Sequence, residues 1–133
     1  MLKRILISGG LFAVTSVIIG AFAAHALKNH LSEYALSIIK TGVLYQMFHG
    51  IALIICGILF LQFKPFKESQ KWLKRAATSF TLGILFFSGS LYGLALTSFK
   101  WLGPVTPIGG SLMIAGWLMF IWAIIKLDES SLQ

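Results

Sequence analysis

Four stretches of the chain, residues 5–24, 43–63, 77–98 and 108–125, are apolar and carry no charged side chain, while the charges collect between them. A bilayer hydrocarbon core of about 30 Å takes about 20 residues of helix to cross, and every backbone donor inside it must be satisfied within the segment. The pattern therefore predicts an all-α polytopic membrane protein, four transmembrane helices forming one domain over residues 1–133.

The gaps have distinct characters. Residues 27–41 are amphipathic, with Leu31, Tyr34 or Ala35, and Ile38 at helical spacing against Asn29, Ser32, Glu33, Ser37 and Lys40. This predicts a short helix on the outer membrane surface, N-capped by Ser32. Residues 64–75 carry Pro65, expected to end the second helix, and Trp72, an aromatic suited to the headgroup level. Residues 99–107 hold Trp101, Gly103, Pro104 and Pro107 and predict a tight turn, with Pro107 in the first turn of the fourth span. The tail 128–133 is expected to fray.

Composition sharpens this picture. Hydrophobic residues make up 57% and charged residues 11%, a partition foreign to a soluble core of this size. The net charge of +7 resembles a nucleic-acid footprint, but Lys64, Lys67, Lys71, Lys74 and Arg75 share one loop between spans. That is the mark of topology rather than of nucleic-acid binding. Placing the loop in the cytoplasm puts Lys3, Arg4 and Lys126 there too, leaving Lys28, Lys40 and Lys100 outside. The expected location is the plasma membrane, with both termini cytoplasmic and residues 64–75 resting on anionic lipid. Lys3-Arg4, an apolar run and Ala21-Phe22-Ala23 have the form of a secretory signal, which we read as a retained first span. Cys56, the single cysteine, reads as a packing residue.

Helices in lipid associate through close backbone approach and interhelical hydrogen bonds, so small residues mark contact faces. Gly9, Ala13, Ser16, Gly20 and Ala23 form such a stripe on span one; Ser79, Gly83, Phe86, Ser90, Gly93 and Thr97 form one on span three. Span two contributes Gly42, Gln46, His49, Leu53 and Cys56, with Gly50 and Gly57 beside them; span four contributes Gly109, Leu112, Gly116 and Met119. The period of 3.5 predicts a left-handed bundle. Gly89 and Gly93 form a GxxxG pair, a site for a close neighbour.

With the N-terminus inside, His25, Gln46, His49, Ser88, Ser90, Tyr92 and Thr106 should gather from all four helices in the outer leaflet. Two readings stay open: a structural hydrogen-bond cluster, or a polar pocket rimmed by Tyr45 that takes a small ligand or lipid headgroup. His25 and His49 lack further ligands, so no metal or haem is expected, and His30 reads as solvated. No span contains Asp or Glu, and no nucleophile elbow or phosphate loop is present, so no enzymatic activity and no cofactor are expected.

Gly20-Ala-Phe-Ala-Ala-His25, Tyr45-Gln-Met-Phe-His49, Phe87-Ser-Gly-Ser-Leu-Tyr92 and Thr106-Pro-Ile-Gly-Gly110, followed by Gly116-Trp117, resemble the domain-of-unknown-function 423 family. Its relatives include bacterial inner-membrane proteins and the transmembrane protein 256 family. The resemblance implies a four-span membrane fold and no established activity. Its motif residues fall on Gly20, His25, Gly42, Gln46, His49, Ser88, Gly89, Ser90, Tyr92, Thr106 and Pro107. Ala23 stands where the family pattern has glycine. Besides ligand binding, the sequence leaves open an oligomeric transport or channel subunit and a purely structural or assembly role.

Overall fold

The computed structural model describes residues 2–64, 66–97 and 99–127. Four long helices, α1 (Leu2–His25), α2 (Glu33–Gln62), α3 (Lys67–Thr97) and α4 (Val105–Ile125), follow one another, with one 3-10 turn at Lys100–Leu102. All four are long and apolar enough to cross a membrane. The expectations for Pro65 and for residues 128–133 lie outside the described residues.

Two connections differ from expectation. The separate surface helix does not form: Ser32 does cap a helix, accepting from the Ala35 backbone N–H at 3.1 Å, but that helix is α2 itself. Nothing after the cap breaks it, and the apolar face carrying Ala35 and Ile39 packs on Ala23 and Ala95 instead of on lipid. At 30 residues α2 is about 45 Å long, well beyond the hydrocarbon core. Most of the basic segment is likewise helical, because α3 starts at Lys67. The short turn before it is stabilised by the Gln70 side chain, whose Nε2 donates to the Phe60 carbonyl at 2.8 Å, and by Phe63 edge-on to Phe66. Toward α4, the expected tight turn contains the 3-10 turn, and Pro107 falls in the first turn of α4.

Packing runs in chain order, α1 on α2, α2 on α3 and α3 on α4; among the described residues no other pair of long helices packs along its length. The inner helices α2 and α3 are thus the most buried, and α1 and α4 flank them. Buried positions on α1 are Gly9, Ser16 and Ala23, on the predicted stripe. At the α1–α2 crossing a Cβ on Gly9 would lie 2.8 Å from the Gly50 carbonyl oxygen, so the two backbones touch directly. At the α3–α4 crossing a Cβ on Gly109 would run into the Phe87 backbone nitrogen. The GxxxG pair is not such a crossing: Gly89 is exposed with no atom near it, and Gly93 meets only Leu102 of the 3-10 turn. Phe86, placed in the same stripe, is exposed.

Two apolar clusters result. One, nearer the lysine-rich turn, centres on Leu53, Cys56, Leu73, Phe80, Ile84 and Met113; the other, toward the opposite end, on Ala23, Ala35, Ile39 and Ala95. Gln46, His49 and Ser88 lie in the layer between them. The register of α1 against α2 fixes that height. Gly50 abuts Gly9 and Ala13, and Gly20 abuts Val43. This places Gln46 and His49 level with the middle of α1 rather than nearer one end, because the first turns of α2 stand above the predicted span.

Candidate functional site

The polar layer divides into three separate groups. In the first, Gln46 joins three helices. Its Nε2 donates to the Phe12 carbonyl at 2.9 Å and to Thr15 Oγ1 at 2.7 Å, both on α1, and its Oε1 accepts from Tyr92 Oη on α3 at 2.9 Å. Both amide hydrogens and the carbonyl are therefore occupied. Thr15 passes its own hydrogen to the Leu11 carbonyl at 2.7 Å. Alongside, the buried Ser88 hydroxyl donates to the Gly42 carbonyl at 2.8 Å. The Tyr92 ring lies so close over Gly42 that a Cβ there would come within 2.6 Å of it.

The second group ties α3 to α4. Ser90 donates to the Phe87 carbonyl at 2.9 Å, so the 2.7 Å contact between Ser90 and Thr106 is one in which Thr106 donates. Further along, Ser79 donates to the Leu112 carbonyl at 2.7 Å.

The third group contains His49 and faces the bilayer. Its Nδ1 lies 2.8 Å from the Tyr45 carbonyl, and its Nε2 accepts the indole N–H of Trp117 at 3.2 Å. An acceptor at Nε2 assigns the ring hydrogen to Nδ1, where it meets the carbonyl. Aromatic rings enclose the imidazole: Tyr45 stacked at 6.0 Å, Phe80 at 5.5 Å and Trp117 edge-on at 6.0 Å. Two adjoining hollows of about 330 and 310 Å³ share Tyr45, His49 and Trp117; Leu44 and Phe48 complete one, and Phe87, Gly110, Met113 and Ile114 the other. Together they make a lateral cleft between α2 and α4 with the His49–Trp117 bond at its centre.

His25 joins none of these groups. It is exposed at the C-terminal end of α1, in a shallow hollow with Ala21, Phe22 and Ala26. Ala23, where the family pattern has glycine, is buried, and its methyl fills the contact with Ala35 and Ile39.

Sequence reasoning missed Thr15 and Trp117. Thr15 lies off the small-residue stripe of α1, and its signal was simply a polar residue in a charge-free span. Trp117 was legible as a tryptophan in mid-span, away from the interfaces where that residue collects. Among the described residues no three His, Cys, Asp or Glu side chains converge as metal ligands, and no serine hydroxyl bonds to His49.

Residues 19–110 match the family described as "Protein of unknown function (DUF423)". The chain belongs to this family. A UPF0382 membrane protein of Staphylococcus haemolyticus is 45% identical over 94% of this chain and 98% of its own length. One from Staphylococcus aureus is 44% identical over the same shares, and one from Haemophilus influenzae is 41% identical over 83% of this chain and 84% of its own. No solved structure matches. This DUF423 chain is thus an integral membrane protein, a four-helix bundle in a family to which no activity is assigned.

Proposed function

We propose that this DUF423 protein is a non-enzymatic membrane protein that holds one lipid or lipid-like molecule in the lateral cleft between α2 and α4. The observation that carries this reading is a contrast between polar centres. The Gln46 group is saturated by its own helices and has no donor to offer a ligand, which marks it as glue. The His49–Trp117 pair is also satisfied, by the Tyr45 carbonyl and by its own bond, but it lies in a cleft open to the bilayer, lined by rings and aliphatic side chains, where an apolar chain or ring would lodge.

Gly110 lines the cleft, and a Cβ there meets only the Phe87 ring at 3.7 Å, so a larger side chain can grow into the hollow. Native mass spectrometry of protein released from lipid nanodiscs tests the reading. Wild type should retain one bound molecule and Gly110→Leu none, at equal thermal stability. Equal retention by both variants overturns it.

In this reading the lysine-rich turn and both termini face the cytoplasm of the plasma membrane, since Lys64, Lys67, Lys71, Lys74 and Arg75 obey the positive-inside rule there. The same cations draw anionic lipid to residues 64–75. In a Cys56→Ala background, an impermeant maleimide applied to intact cells should label His30→Cys and spare Lys67→Cys; the opposite pattern inverts the topology.

A second reading, association of copies, is favoured by Gly89, which is exposed with open space around it. Transport or channel activity would need such association, because among the described residues the long helices of one chain pack along their lengths only on their neighbours in sequence. Disulfide capture of Gly89→Cys in membranes reports it, and a purely monomeric product removes it.

A further inference from the structure

The lysine-rich end contains a second hollow, remote from His49. Because, among the described residues, α1 and α3 both pack along their lengths on α2 and not on each other, a groove is left between them. At its mouth the hollow, about 180 Å³, is lined by Arg4, Ile5 and Ser8 of α1 and by Lys74, Ala77, Thr78 and Thr81 of α3. These residues recur at helical spacing, so each helix presents one continuous stripe to the groove.

Its chemistry is graded along the helices. Arg4 and Lys74 lie at the rim, just before the predicted spans begin; Ser8 and Thr78 come one turn deeper, and Thr81 with apolar neighbours deeper still. Charge, then hydroxyl, then hydrocarbon is the order met along a phospholipid from phosphate to acyl chain. The volume falls below the roughly 300–1,000 Å³ of a pocket for a drug-sized ligand, which suits a headgroup whose tails stay in the bilayer.

Three other cations at this end are engaged. Arg75 lies over the Trp72 ring at 4.7 Å, Lys126 over Trp122 at 5.0 Å, and Lys71 pairs with Glu68 at 3.6 Å. Among the described residues neither Arg4 nor Lys74 meets a carboxylate. The threonine hydroxyls donate to their own helix, Thr78 to the Lys74 carbonyl at 3.0 Å and Thr81 to the Ala77 carbonyl at 2.9 Å, which leaves Ser8 as the hydroxyl donor facing the hollow.

We infer that the groove between α1 and α3 is a specific site for the phosphate of an anionic phospholipid, held by the Arg4 guanidinium and the Lys74 ammonium and bonded by Ser8. Arginine offers a planar fork to phosphate oxygens and lysine a point charge. The site deepens the reading that anionic lipid gathers at the basic end and rests on it. It differs in demanding two particular cations from two helices.

The test titrates full-length protein in detergent with phosphatidylglycerol or phosphatidylcholine and reads the first bound lipid by native mass spectrometry. Wild type should prefer phosphatidylglycerol. Arg4→Gln with Lys74→Gln should weaken that lipid by about 150-fold, the loss of two charge-assisted hydrogen bonds at the low end of their range. Lys64→Gln with Lys67→Gln, the same change of charge outside the groove, should stay within about three-fold, since exposed charges are screened. Arg4→Lys with Lys74→Arg should keep the preference and serves as the folded control, and Ser8→Val should weaken it with both charges intact.

An equal fall in the two glutamine pairs overturns the site while leaving the general attraction standing. No preference in wild type overturns both. Inorganic phosphate that displaces phosphatidylglycerol at equal concentration would assign the groove to free phosphate and overturn the lipid assignment.

Discussion

Trp117 on α4 gives its indole hydrogen to His49 Nε2 on α2 at 3.2 Å, a direct bond between two helices that are not neighbours in the packing order. It bridges over α3, whose Phe80 ring lies 5.1 Å from Trp117 and 5.5 Å from His49. The bond therefore closes the two flanks of α3 into one aromatic assembly.

Its strength is measurable. A double-mutant cycle of His49→Leu and Trp117→Phe should give a coupling of about 0.6 kcal/mol, the mean for interhelical hydrogen bonds in a membrane. Reversible unfolding in mixed detergent micelles reports it. A coupling of zero would mean that the rings pack without the bond. Lost ligand with unchanged folding in His49→Leu alone would mark a binding residue.

Gln46 should matter more. Gln46→Leu removes three bonds at once, to Phe12, Thr15 and Tyr92, and loosens α1 against α2; a loss of about 2 kcal/mol is expected from the same mean. Tyr92→Phe removes one of them and should cost about 0.6 kcal/mol. In the Gln46→Leu background Tyr92→Phe should cost less still, since its partner is already gone. Additive losses would show that the Tyr92 hydroxyl acts through a group other than Gln46.

Two glycines should respond oppositely to one methyl. Gly109→Ala drives a carbon into the Phe87 backbone and must part α3 from α4, at about 1–3 kcal/mol. Gly89→Ala meets no atom and gains helix propensity, a stabilisation of about 0.5–1 kcal/mol. Thermal unfolding of the two variants decides. A destabilised Gly89→Ala would reveal a second copy seated on that face.

Ser69 is fully buried beside the turn between α2 and α3, and among the described residues its hydroxyl finds no hydrogen-bond partner. An unsatisfied buried hydroxyl costs about 1–3 kcal/mol, so Ser69→Ala should raise stability by about 1 kcal/mol. A loss in the same unfolding assay would show that the hydroxyl has a partner in the membrane.

How much of this was legible differs from residue to residue. The span limits came within about three residues except at the starts of α2 and α3, which begin ten residues earlier than expected, and the stripe of Gly9, Ser16 and Ala23 came out as the buried face of α1. Ser32 was correctly read as a cap, yet the length of the helix it starts was not, because no local signal separates a helix lying on the surface from the first turns of a spanning one. Gly89–Gly93 carried the same motif as a real crossing and makes none, since a motif marks where two helices can approach and not whether a second helix stands there. Of the seven polar residues gathered from the sequence, six lie in the contact layers. His25 points away, one rotation step that hydropathy does not encode.

By itself the sequence determined that this chain lives in a bilayer, how many times it crosses, and which faces of its helices are small enough to touch. Those are sums over single residues, each set by its own transfer free energy and volume. Only the tertiary structure decided which polar groups meet. It alone set Gln46 among its own helices, His49 against Trp117 in an open cleft, and Arg4 across a groove from Lys74. Those pairings depend on the relative rotation and register of whole helices, which the backbone contacts of Gly9 with Gly50 and of Gly109 with Phe87 lock in place.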